Sequence, residues 1–168
     1  MTPILKLSQE NLNLSQKRLS VLVRHIDGVR ENCQRLGLIL IQSGEIDFGK
    51  MLIANGLIHD NSKFYGIEWE YLHGDVKEEN PEMFAAAAKQ HITTNQHHPE
   101  FFGSINEMPD IFLAEHCCDI LARAQEFGQN VYDWIHDVAM TKYGYSKKTK
   151  VYQKINKYMG LLLEDSFK

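Results

Sequence analysis

Cysteine and proline are both scarce in this chain, with three and four in 168 residues. The prolines, at positions 3, 81, 99 and 109, leave long stretches free to run as helix, and three of them fall where helices should begin or loops run. Cys33 and the neighbours Cys117 and Cys118 make no disulfide framework, and no second cysteine pair is present to complete a structural zinc site. They are expected as buried thiols in a reduced, cytoplasmic protein. Apolar runs stay far below the ~20 residues that cross a bilayer. The first ten residues lack the charged start and continuous apolar stretch of a leader, so no membrane association is expected. Charge of one sign is also in short supply. The formal net charge is −4 and no long basic run occurs, which argues against a nucleic-acid-binding surface while leaving room for a local pocket that takes a small anion.

What remains is ordinary globular material: 43% apolar and 24% charged residues, enough to build a real core in one domain spanning residues 1–168. No strand-like alternation competes with helical periodicity, and there is no internal repeat. Leu19, Leu22, Val23, Ile26, Val29, Cys33, Leu36 and Leu40 recur at steps of three and four, predicting one long amphipathic helix that stops at Ser43-Gly44. A second helix runs from about Asp47 through Ile58, and a short one from Ile67 to Leu72 precedes a His73-Gly74-Asp75 turn. Pro81 starts a helix to about Thr94, Pro109 and Asp110 open another that closes at Gly128, and Tyr132–Tyr143 and Val151–Leu163 complete the tail. The expectation is an all-α, single-domain bundle of six or seven helices, with the chemistry on the helices of about 10–128 and the last helices at about 131–165. Self-association is left open.

The chemistry gathers around Leu57-Ile58-His59-Asp60-Asn61-Ser62-Lys63-Phe64, where an imidazole, a carboxylate, a hydroxyl and an amine end an apolar run. A carboxylate there needs a partner or a metal ion to offset its desolvation. His25 lies on the apolar stripe of the first helix. His91, His97 and His98 fall within eight residues of one another, and Asp119 lies in a half-buried helix with Glu115 one turn before it and Arg123 one turn after it. Histidine, carboxylate, histidines and carboxylate on separate helices are how a bundle collects nitrogen and oxygen ligands around a divalent metal. Taken singly, His25 or His59 would be a core histidine bonded to a carbonyl, and the 91–98 histidines a solvated helix end. His73 and His116 keep that structural reading, and the second His-Asp pair, His136-Asp137, reads as the surface of an amphipathic helix.

The order His25, His59-Asp60, Asp119 resembles the signature of the HD-domain superfamily of metal-dependent phosphohydrolases, which are all-helical, and here it covers Val21 to Leu121. His59-Asp60-Asn61-Ser62-Lys63 is similar to the His-Asp-x-Gly-Lys of HD-GYP phosphodiesterases. Ser62 stands in place of their glycine, and no Gly-Tyr-Pro segment follows the paired histidines. The run His-Asp-x-Ser-Lys-Phe, with Asn-x-His-His-Pro-Glu and Glu-x-x-x-Asp downstream, looks most like a small HD-like family without an established activity.

The superfamily resemblance implies a first metal held by His25, His59, Asp60 and Asp119. It implies a second on His91 with His97 or His98, Asp60 bridging the two. The ions, one or two, would be Mn, Fe, Co, Ni or Zn. Lys63 would pair with a phosphate or protonate a leaving oxygen, Arg123 would clamp the anion, and Glu100 or Glu115 would orient a ligand histidine. The implied activity is hydrolysis of a small phosphorylated metabolite or nucleotide by a metal-activated water. The alternatives are a di-iron oxygenase similar to myo-inositol oxygenase or the phosphonate-cleaving oxygenases, and a non-catalytic bundle that binds a nucleotide or a protein partner.

Overall fold

The computed structural model describes residues 9–164; the first eight residues, which include most of the stretch compared with a leader, lie outside the described residues. All regular structure among them is helical. The long amphipathic stripe forms α1 (Gln9–Gln42), which buries Leu22, Ile26, Val29, Cys33, Leu36 and Leu40. The chain reverses at Gly44 with φ of 97°, a conformation glycine adopts without steric cost. It then returns antiparallel as α2 (Ile46–Ile58).

The α1–α2 crossing is unusually close because three glycines face it. A Cβ on Gly49 would lie 2.3 Å from the Gly37 carbonyl oxygen, and one on Gly56 would lie 2.6 Å from Cys33 Cβ. This contact fixes where α2 ends relative to the middle of α1, and therefore where His59 and Asp60 meet His25.

A 3-10 turn, Asn61–Phe64, leads to the short helices α3 (Gly66–Tyr71) and α4 (Gly74–Glu79). Asn80 then caps α5 (Pro81–Thr94), its side chain accepting a hydrogen bond from the Met83 amide, with proline in the first turn. A second 3-10 turn, Pro99–Phe102, follows the paired histidines. The central helix is α6 (Asp110–Glu126), whose Leu113, Ala114, Cys117, Cys118 and Leu121 are buried. It packs on α1, where Ala122 lies against Gly28 and Asn32 Nδ2 donates to the Cys118 carbonyl at 3.2 Å.

α7 (Val131–Trp134) and α8 (Met140–Tyr143) are two ends of one continuous helix joined through a π-helical turn, Ile135–Ala139. α9 (Lys150–Glu164) closes the core with Val151, Ile155, Tyr158, Met159 and Leu162.

The all-α, single-domain expectation therefore holds. Counting 131–143 as one, the described residues form eight helices rather than six or seven. The addition is α4, where a turn was expected; Val76 is its one apolar side chain, so its stretch shows no repeat. All three cysteines are buried free thiols, and burial pushes those of Cys117 and Cys118 up. No described helix is long and apolar enough to cross a membrane.

Candidate metal centre

Four helices and one loop bring the expected residues to one place. His25 comes from the buried stripe of α1, His91 from the last turn of α5, Asp119 from α6, and His97 and His98 from the loop before Pro99. His59 leaves α2 in an extended conformation, and Asp60 then adopts φ 56° and ψ 19°. Asp60 is the one non-glycine residue at positive φ among those described. Left-handed backbone costs an ordinary residue roughly 1–2 kcal/mol, and aspartate tolerates it better than most. Such local strain clusters where a side chain must be aimed for function.

Asp60, almost fully buried, divides its carboxylate between two groups of donors. On one side, Asp60 Oδ2 lies 3.6 Å from His25 Nε2 and 3.5 Å from His59 Nε2. Asp119 Oδ1 is 3.1 Å from the same His25 nitrogen. On the other side, Asp60 Oδ1 lies 3.3 Å from His91 Nε2 and 3.4 Å from His97 Nε2, while His98 Nε2 is 2.9 Å from His91 Nε2. His25, His59 and Asp119 form one set whose donor atoms lie within 4.8 Å of one another, and His91, His97 and His98 form another.

Three of these rings are held from behind by carboxylates. His25 Nδ1 donates to Glu126 Oε1 at 2.8 Å, His59 Nδ1 to Glu115 Oε1 at 3.0 Å, and His91 Nδ1 to Glu68 Oε2 at 2.8 Å. A carboxylate anion only accepts, so the ring proton belongs on Nδ1 and the Nε2 lone pair is free to face the centre. This is the arrangement that orients metal-ligating histidines and raises their basicity. The carboxylates are themselves fixed: Asn55 Nδ2 donates to Glu115 Oε2, Ser62 Oγ to Glu68 Oε2, and Arg123 Nη1 to Glu126 Oε2.

The donors also fit an ion by what they lack. His59 Nε2, Asp60 Oδ1 and His97 Nε2 are buried without a hydrogen-bond partner, and all three belong to this centre. Buried polar atoms are nearly always satisfied, so three orphans among these donors suit cations that accept lone pairs from nitrogen and oxygen together. Burial opposes the charge on Asp60, yet Lys63, whose Nζ is 2.6 Å from Oδ2, together with His59 and His97 holds its carboxyl well below the usual range. Burial likewise opposes the charge on Asp119, and His25 and His59 outweigh it. Burial, with Lys63 adding to it at His91 and His97 at His98, pushes His91 down to about 4 and His98 down to about 2, leaving both neutral. Burial also works against protonation of His59, but Asp60 and Glu115 raise it overall. Metal at this position must therefore compete with a proton.

Either His97 or His98 was expected as a ligand; in the structure both lie in the second candidate set. Glu115 does orient a histidine. Glu100 does not: Lys142 Nζ pairs with Glu100 Oε1 at 3.0 Å, drawing it towards α8. Glu68 and Glu126 were not anticipated at all. His116 keeps its structural role, with Nδ1 donating to the His97 carbonyl at 3.0 Å and so holding the histidine loop. His136 is less superficial than expected, half-buried with Nε2 3.1 Å from the Tyr152 hydroxyl.

A cavity of about 480 Å³ opens onto the centre and is lined by His25, His91, His98 and Asp119 together with the cations Lys63 and Arg123. The chain belongs to the family of unknown function DUF5662, whose profile matches residues 15–164. No curated protein and no solved structure matches the chain.

Proposed function

We propose that this chain is a metal-dependent phosphohydrolase of the HD-domain type, acting on a small phosphorylated metabolite or nucleotide. One observation carries the reading: one oxygen of Asp60 faces His25 and His59 and the other faces His91 and His97, members of two candidate donor sets. A bridging carboxylate between two such sets is the arrangement that binuclear hydrolytic centres use. His25, His59 and Asp119 would hold one ion, His91, His97 and His98 the other, with Asp60 shared. Bound divalent metal lowers the pKa of water and polarises a phosphoryl oxygen.

The chain's own groups supply the rest. Glu115, Glu126 and Glu68 keep three imidazoles in the tautomer that ligates. Lys63 lines the cavity beside the centre, where its ammonium can meet negative charge on the phosphoryl group or give a proton to the leaving oxygen. Arg123 adds a second cation on the same wall, steered by Glu126.

Metal analysis of protein purified without added metal, followed by a phosphate-release screen with and without chelator under nitrogen, tests the reading. Hydrolysis supported by Mn or Co is expected. Lys63→Ala should keep its metal while kcat falls by ~10²-fold, the scale for losing a charge stabiliser or general acid. Asp60→Ala should lose both metal and activity. Oxygen consumption by an iron form that releases no phosphate would favour the di-iron oxygenase. A chain that binds no metal would be left as a non-catalytic bundle.

A further inference from the structure

The metal-facing residues divide between two separate hollows. The cavity of about 480 Å³ is lined by His25, His91, His98 and Asp119, and its other charged lining is cationic: Lys63, Arg123 and Lys142. A smaller hollow of about 220 Å³ lies where the ends of α2 and α5 meet the first turns of α6. It is lined by the remaining members, His59, Asp60 and His97. The two hollows have no lining residue in common.

Their electrostatics differ in sign. The smaller hollow is lined by the carboxylates of Asp60 and Glu115 and by no lysine or arginine. Its rim is uncharged, with Ile58, Thr94, Gln96 and Phe101 exposed, while the charged groups lie on a buried floor. Carboxylate partners offset the cations of the larger cavity in part, and Lys63 offsets Asp60. Glu115 is then the charge that an ion meets first in the smaller hollow. A divalent cation is opposed at the larger cavity, where an anion is drawn in; at the smaller hollow both effects reverse. The smaller hollow falls below the ~300–1,000 Å³ usual for small-molecule sites, yet it has room for an ion with its water.

The floor also supplies donors in order. Glu115 Oε1 lies 3.0 Å from His59 Nδ1 and 3.7 Å from His97 Nδ1, and these three residues form a third group of donor atoms within 4.8 Å of one another. One ring belongs to each of the two donor sets already described, and the ring centroids are 4.1 Å apart. On their other edges are the Nε2 atoms that are buried without a partner, as is Asp60 Oδ1. An ion received at Glu115 has these orphaned atoms directly behind the two rings. His97, the ring best placed to give way, is carried by a turn rather than a helix.

We propose that the smaller hollow is the route by which divalent metal enters the centre, separate from the cavity that admits an anionic substrate. This rests on the metal-binding part of the reading above and not on the reaction class.

Zinc uptake by the chelator-stripped full chain, followed in stopped flow with a weak fluorescent zinc indicator, tests the route. Gln96→Trp and Thr94→Trp add bulk at the exposed rim of the smaller hollow. At least one should slow zinc association and release by the same factor, about tenfold, with equilibrium affinity unchanged, as obstruction of a path requires. Gln129→Trp, equally exposed but lining the larger cavity, should take up zinc as the parent does. At low salt Gln96→Lys should slow association several-fold, an effect that added salt removes, whereas Gln129→Lys should not. Parental rates in both rim tryptophan variants, or equal slowing by the variants at 129, overturn the entry route and leave the metal centre standing. A parent chain that binds no zinc overturns both.

Discussion

Glu115 Oε1 lies 3.0 Å from His59 Nδ1, so a carboxylate on α6 sets the ring that ends α2. The pair spans 56 residues of sequence and is buried. Asn55 holds the other oxygen, which removes the freedom of the carboxylate to rotate away.

Glu115→Gln keeps the shape and one hydrogen bond but removes the charge that would make His59 a better metal ligand. Metal affinity should fall 10–100-fold, the usual cost of losing such a partner, as read by competition with a chromogenic chelator. Glu100→Gln, altered at a carboxylate that pairs with Lys142 instead, should bind metal as the parent does.

Asp60 offers a test in which backbone and charge separate. In chelated protein, Asp60→Gly should be more stable than Asp60→Ala by about 1 kcal/mol, because glycine takes positive φ without penalty. Both should fail to bind metal. Urea denaturation with and without added metal measures the two effects; an alanine variant as stable as the glycine variant would remove the strain from the account.

Much of this centre was legible in the sequence because its donors break apolar patterns. His25 interrupts the stripe of α1, His59-Asp60 ends the run of α2, and Asp119 follows two buried cysteines. A polar group in such company announces that something must satisfy it. Glu68 and Glu126 carry no such mark. In sequence they are ordinary charged residues, one in a short helix and one at a helix end. Their roles arise only when His25 approaches across 101 residues and His91 across 23. The helices were legible for the same periodic reason, and α4 escaped because Val76 is the one apolar side chain in Gly74–Glu79.

The α1–α2 contact should resist any added bulk. Gly49→Val would drive a side chain into the Gly37 carbonyl and Ile41, and overpacking of this kind costs about 1–3 kcal/mol. A lowered Tm is expected, together with weaker metal binding, because α2 carries His59 and Asp60 on its end. A variant that melts lower yet binds metal normally would show that the two ends of α2 move independently.

Acid should weaken the metal-free protein well before its carboxylates titrate. Burial holds His116 down to about 4, and His91 likewise, against an ordinary value of 6.5. Between those limits the unfolded chain binds more protons than the folded one, so stability falls as pH falls from about 6.5 to about 4. Each fully titrated group of this size contributes roughly 3 kcal/mol. His59, whose pKa is raised, acts in the opposite sense, lending stability that is lost as pH rises above 6.5. The midpoint of urea unfolding in chelator, followed over pH, should decline through that window, and His116→Gln should flatten the slope.

Trp134 and Lys142 are eight residues apart, yet both line the cavity of about 480 Å³ that opens onto the centre. Along a regular α-helix eight residues advance about 800°, which leaves two side chains about 80° out of phase. The π turn at Ile135–Ala139 winds more slowly than a regular helix and so reduces that offset. The irregular turn is thus a phase corrector. Where it lies along 131–143 decides which residues of α8 meet the cavity, and sliding it by a few positions would turn a different set of side chains inward from the same sequence.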